Sequence, residues 1–132
     1  LTLPGRFAEL GSLLEPVRAA LWNRDVPHDT RRELFGGSGS VRVWALLDAP
    51  RAPFTAMLAC ELEPNASVGA HVQEHYPELL IAVAGVGSAR VDGELRRFCA
   101  GDVVELSRGQ ILAIFNGSSE EPLRYLIVKA QV

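Results

Sequence analysis

Lysine is almost missing from this chain: of its 13 basic residues, only Lys129 is not an arginine. The arginines are scattered apart from Arg31-Arg32 and Arg96-Arg97, and the formal net charge is -3. A nucleic-acid binder shows a basic stripe interleaved with aromatic platforms. Neither is present, so no nucleic-acid partner is expected and the two arginine pairs read as solvated surface. Long apolar runs are missing too. The longest are strand-sized, well short of the ~20 residues a spanning helix needs. No secretory segment is visible either. The expectation is a cytoplasmic protein with no membrane partner. Cysteine is limited to Cys60 and Cys99, with no Cys-x-x-Cys pair. Each lies in or beside an apolar run, which favours buried free thiols over a disulfide. The glycine-rich stretch Gly36-Gly37-Ser38-Gly39-Ser40 is followed by no Gly-Lys-Ser/Thr. It reads as a surface turn and not as a phosphate loop.

What is present is the composition of one globular domain: 132 residues, 48% of them hydrophobic. That length suffices to bury a core. Two regions differ in pattern. Residues 1–40 are expected to form a helical and loop arm. Ser12 followed by Glu15 resembles a capping box, Pro16 suits a first helical turn, and Val17, Ala20 and Leu21 give a short apolar face. Residues 23–30 read as loop. From Val41 to the end, short β-rich runs alternate with turn signals. Strands are expected over 41–47, 54–62, 67–73, 78–83, 88–91, 95–99, 103–106, 111–115 and 123–128. Asp92-Gly93 marks a hairpin turn. No helix-length segment follows Val41, so parallel crossover units are excluded. Many short strands at regular spacing predict an all-β sandwich or barrel over 41–132.

His71 and Gln73 are two apart on an expected strand and therefore share a face. Glu78 opens the next strand, with His75 and Tyr76 between. Histidine and glutamate bind divalent metals, and glutamine is a weaker neutral donor. The plainer reading is a hydrogen-bonded His71 inside the barrel and an exposed loop residue at His75. Of Arg124 and Tyr125, adjacent on the last strand, at most one points inward. Asp102, after a turn glycine, reads as a turn cap, and Trp22 and Trp44 as packing residues. No Ser-His-Asp order is present, and no catalytic residue is assigned.

The stretch Gly69–Gly85, GAHVQEHYPELLIAVAG, resembles the first motif of the cupin superfamily. His71, Glu78 and Gly85 match the motif's first histidine, glutamate and closing glycine, while Gln73 stands where the second histidine would be. The stretch Gly101–Asn116, GDVVELSRGQILAIFN, resembles the second motif through Gly101, Asp102, Gly109 and Asn116. Ser107 replaces the motif's proline, and Leu112 its histidine. The resemblance implies a cupin-like jelly-roll barrel. It also implies a metal site of three histidines and one glutamate for iron, manganese, nickel or zinc, of which this chain keeps His71 and Glu78 in register. Gln73 and His75 are the further candidate ligands, and Leu112 has no donor atom. Weak or absent metal occupancy is therefore expected.

Three functions remain open at this stage. The first is a small-molecule binding or sensing barrel with His71, Gln73 and Glu78 as polar anchors and Leu80, Ala82, Leu112 and Ile114 as apolar lining. The second is a metal-assisted enzyme, a dioxygenase, isomerase or lyase, acting on a small organic acid or sugar derivative. The third is an interaction domain whose barrel is filled by side chains. A homodimer is expected in each case, because small barrels leave apolar edges or faces to cover.

Overall fold

Strands form readily where apolar residues alternate between turn residues, and ten strands are found among the described residues. A computed structural model describes residues 21–131. In chain order the strands are β1 (Asp29–Arg32), β2 (Ser40–Ala45), β3 (Phe54–Leu62), β4 (Ser67–Val72), β5 (Glu78–Ala84), β6 (Gly87–Val91), β7 (Glu94–Arg97), β8 (Val103–Leu106), β9 (Ile111–Asn116) and β10 (Leu123–Ala130). One sheet has the order β1-β2-β3-β10-β5-β8, the other β4-β9-β6-β7, and every pairing is antiparallel. The result is an all-β barrel of two facing sheets. The turn at Asp92-Gly93 joins β6 to β7 with both residues at positive φ, 51° and 82°, as a two-residue hairpin demands.

Register decides which side chains face inward. Tyr125 on β10 is opposite Cys60 on β3 and Ala82 on β5. One row along, Ile127 is opposite Leu58 and Leu80, and Lys129 opposite Ala56 and Glu78. The small sheet contributes Val68, Ala89, Val91, Leu112 and Ile114 to the same core, and Phe98 meets Tyr125 edge to face at 5.7 Å. Burying these side chains supplies the main folding force.

Of the helical and loop arm expected over 1–40, the helical part falls almost wholly outside the described residues, and the part expected as loop and turn is not all loop. Asp29–Arg32 pairs with β2 as an edge strand, and among the described residues the only helical turn is a single 3-10 turn at Leu34–Gly36. The sequence of β1 reads as loop because all four of its residues are polar and exposed, so it carries no apolar alternation. The candidate cap Ser12-Glu15 and the apolar face Val17-Ala20 lie outside the described residues. Residues 22–28 pack on the outer face of the large sheet of their own subunit. Trp22 Nε1 donates to the Cys60 carbonyl at 2.8 Å, and Trp44 Nε1 to the Asn23 carbonyl at 2.9 Å. The His28 ring lies 4.6 Å from that of Trp44.

Candidate functional site

Between the sheets lies a cavity of about 710 Å³, within the range of about 300–1,000 Å³ typical of small-molecule sites. Its walls come from both sheets. β4 and the residues just after it bring His71 and Gln73, β5 brings Glu78, and β9 brings Leu112 and Ile114. Leu58, Cys60, Tyr125, Ile127 and Lys129 join Glu78 on the large-sheet wall, facing the β4 and β9 residues. Phe35, Val72, Glu74 and His75 are lining residues that are also exposed, so they mark the mouth.

His71 is held in one orientation. Its Nδ1 lies 2.9 Å from the Gly69 carbonyl oxygen, which can only accept, so Nδ1 carries the proton. Nε2 has no hydrogen bond among the described residues. The Phe35 ring stacks on the imidazole at 4.1 Å and 15°. Phe35 reaches that position because the turn at 34–36 sits directly on β4. A Cβ on Gly69 would collide with the Phe35 carbonyl, and a Cβ on Gly37 with the Ser67 carbonyl. The Ser67 and Ser38 amides close the contact, donating to the Ser38 carbonyl at 2.8 Å and the Ser67 hydroxyl at 3.0 Å.

Gln73 is buried, and its Nε2 donates to the Tyr76 carbonyl. Its amide oxygen is thereby left as the end without a partner among the described residues. Glu78 is 4% exposed, and its Oε2 accepts no hydrogen bond among the described residues. Lys129 Nζ is 3.7 Å from that oxygen, close enough to attract it but too far to bond. Burial pushes the Glu78 carboxyl above its ordinary range, against the pull of the Lys129 and His71 charges. Thr55 Oγ1, also on the cavity wall, is a second buried polar atom with no partner among the described residues. Burial pushes the Cys60 thiol up to about 12, although the Tyr125 hydroxyl beside it pulls the other way. That thiol stays protonated at neutral pH, so Cys60 is no nucleophile.

The other candidates are placed as follows. Leu112 and Ile114 line the cavity, and Leu112 is the cross-strand partner of His71. Leu80 and Ala82, expected as apolar lining, belong to the packed core and are not among the residues that line the cavity. The His75 side chain is 80% exposed at the mouth and lies 3.8 Å from Glu74. Among the described residues, no three His, Cys, Asp or Glu side chains come together in a way that could hold a metal ion. With a leucine across from His71 and His75 turned to solvent, this donor set does not fit a firmly held divalent metal. Tyr125 faces the cavity while Arg124 turns outward. Asp102 accepts from Arg97 Nε and from the Cys99 amide, both at 2.8 Å, and Arg97 followed by that amide holds it below the usual carboxylate range. It is a turn cap.

Sequence reasoning missed Lys129, Thr55 and Phe35. Lys129 had a usable signal, since Tyr125, Ile127 and Lys129 alternate on one strand. Phe35 had none, because its place depends on the contact between Gly37 and Gly69. The buried carboxylate of Glu61 was missed as well. It faces outward on β3 and is fully covered, accepting from Arg24 Nη2 at 2.8 Å and Arg124 Nε at 2.9 Å, with Arg42 at 3.4 Å.

Comparison with known proteins follows this geometry. Residues 58–129 match the cupin domain family, more than half of the chain. Among curated proteins no relative matches. The fold is that of a predicted oxalate decarboxylase from Thermotoga maritima, with a TM-score of 0.76 at 24% identity over 85% of this chain and 98% of that one. A cupin 2 conserved barrel domain protein from Salinispora arenicola aligns with a TM-score of 0.59 at 29% identity, over 76% and 80% of the two chains. The cupin domain of an XRE family transcriptional regulator from Enterobacter cloacae gives 0.61 at 19%, over 70% and 97%. Sequence motifs, barrel topology and family match agree: the chain belongs to the cupin family.

Proposed function

We propose that this barrel binds a small organic molecule in its cavity, with His71, Gln73 and Glu78 as polar anchors, Leu112 and Ile114 as apolar lining, and no tightly held metal. The observation that carries this reading is the unpartnered Glu78 Oε2, buried on the wall of a cavity of about 710 Å³. A buried acceptor without a donor costs free energy, and a ligand that supplies the donor recovers it. The open volume weighs against a barrel filled by side chains. A sensing role is in keeping with the occurrence of a similar barrel as a domain of a transcriptional regulator. Two free cysteines support a reducing, cytoplasmic setting.

The test is a titration of small organic ligands followed by the methyl resonances of Leu112 and Ile114. Binding that moves those resonances and weakens at least about fivefold in His71→Ala supports the reading. Binding that leaves them unmoved rejects it.

The metal-assisted enzyme, a dioxygenase, isomerase or lyase acting on an organic acid or sugar derivative, ranks second. It has two donors in its favour, the free His71 Nε2 and Glu78 Oε2, with Gln73 and His75 as the remaining candidates for zinc, nickel, manganese or iron. A homodimer belongs to the proposal. Leu79, Val83 and Val103 are all exposed, and Val103 pairs with Ile81 on the β5–β8 side of the large sheet. Their outward apolar face suits a second copy of the chain.

A further inference from the structure

At one end of the cavity the anchor Glu78 is joined by two polar side chains that are not among the anchors, Lys129 and Thr55. Glu78 and Lys129 are cross-strand partners, and Lys129 is also paired with Ala56, the residue after Thr55. The strand pairing slips between Lys129 and Ala130, just where Thr55 lies opposite. Glu78 Oε2 and Thr55 Oγ1 are buried without hydrogen bonds, and Lys129 Nζ stays 3.7 Å from the carboxylate. This corner therefore offers an acceptor, a donor and a hydroxyl that can do either. Behind it the next row, Leu58 and Ile127, is wholly apolar.

We infer that this corner receives the head of a neutral, hydroxyl-bearing ligand whose apolar body lies along Leu58 and Ile127. The inference rests on the cavity being a small-molecule site and names the chemistry it selects. An ionised carboxylate placed there would face Glu78, and an ammonium would face Lys129. Each would set two like charges side by side in a buried site, which is costly. A hydroxyl carries no charge. It donates to Glu78 Oε2 and accepts from Lys129 Nζ or from the Thr55 hydroxyl, so the unpartnered atoms gain partners together.

Three probes of one skeleton test this: cyclohexylmethanol, cyclohexanecarboxylate and cyclohexylmethylamine, titrated at pH 7 with the Leu58 and Ile127 methyl resonances as readout. In the unmodified protein the alcohol binds tightest, by about tenfold. Thr55→Val weakens the alcohol about fivefold, the loss of one hydrogen bond. Lys129→Met moves the preference toward the amine, and Glu78→Gln moves it toward the carboxylate. Carboxylate or amine as the tightest ligand of the unmodified protein overturns the assignment, and that ranking needs no variant to fold. A preference unchanged in both charge variants overturns it as well. If no probe moves either resonance at millimolar concentration, the cavity reading itself fails and takes this inference with it.

Discussion

Glu61 shows how one residue can matter without touching the site. Its side chain is fully buried among three arginines, two of which keep substantial water contact. Burial alone would raise its carboxyl, but hydrogen bonds from Arg124 and Arg24 outweigh that and hold it below the usual range. A depressed folded pKa adds stability that is present above the unfolded value and lost as pH falls through the folded one. Glu61→Gln should therefore cost about 3 kcal/mol at pH 7, the low end for breaking a buried pair, given the partly exposed partners. The gap to the unmodified protein should narrow below about pH 4. Urea unfolding at both pH values checks this, and a gap that widens on acidification contradicts it. Nothing in the sequence marked Glu61, because its three arginines come from distant segments that only the sheet brings together. Leu112 is the opposite case. It was legible from the motif, and it lines the cavity across from His71. Leu112→His should raise zinc or nickel affinity at least about tenfold by adding an imidazole beside the first. A competition titration showing unchanged affinity would mean the two side chains do not converge.

At the scale of elements, strands with a buried apolar face were legible, and the fully exposed β7 was legible through the Asp92-Gly93 turn that precedes it. The bounds expected for β3 and β8 are those observed, and the hairpin at Asp92-Gly93 follows from its two residues. β1 is not legible because DTRR has no buried face and, unlike β7, no hairpin turn signal beside it. The turn at 34–36 escaped because its role is backbone against backbone, a contact that composition does not encode. Phe35 sits in the left-handed region at φ 53°, which an L residue holds only when its surroundings impose it. Gly69→Ala tests that seat. The added methyl collides with the Phe35 carbonyl, so the variant should lose about 1–3 kcal/mol, and the His71 ring should lose its stacking partner. Thermal unfolding together with the His71 ring resonances reads both effects. Unchanged values in each would show that the turn is free to shift.

For the whole molecule, two motifs and regular strand spacing were enough to read a cupin barrel, and residues 58–129 match that family. They could not reveal a cavity, since volume depends on how two sheets are spaced. The apolar outer face at Leu79, Val83 and Val103 leads to an expected homodimer in light scattering, weakened by Val103→Lys. A monomer at high concentration would remove that part of the account. The central claim is a cavity that takes a small molecule without depending on a bound metal. Native mass spectrometry of protein purified without added metal or chelator tests it most directly. The account predicts chains free of tightly held metal, with cavity binding of small organic ligands preserved. One equivalent of iron, manganese, nickel or zinc per chain, surviving dialysis, would contradict it and put the metal-assisted enzyme first.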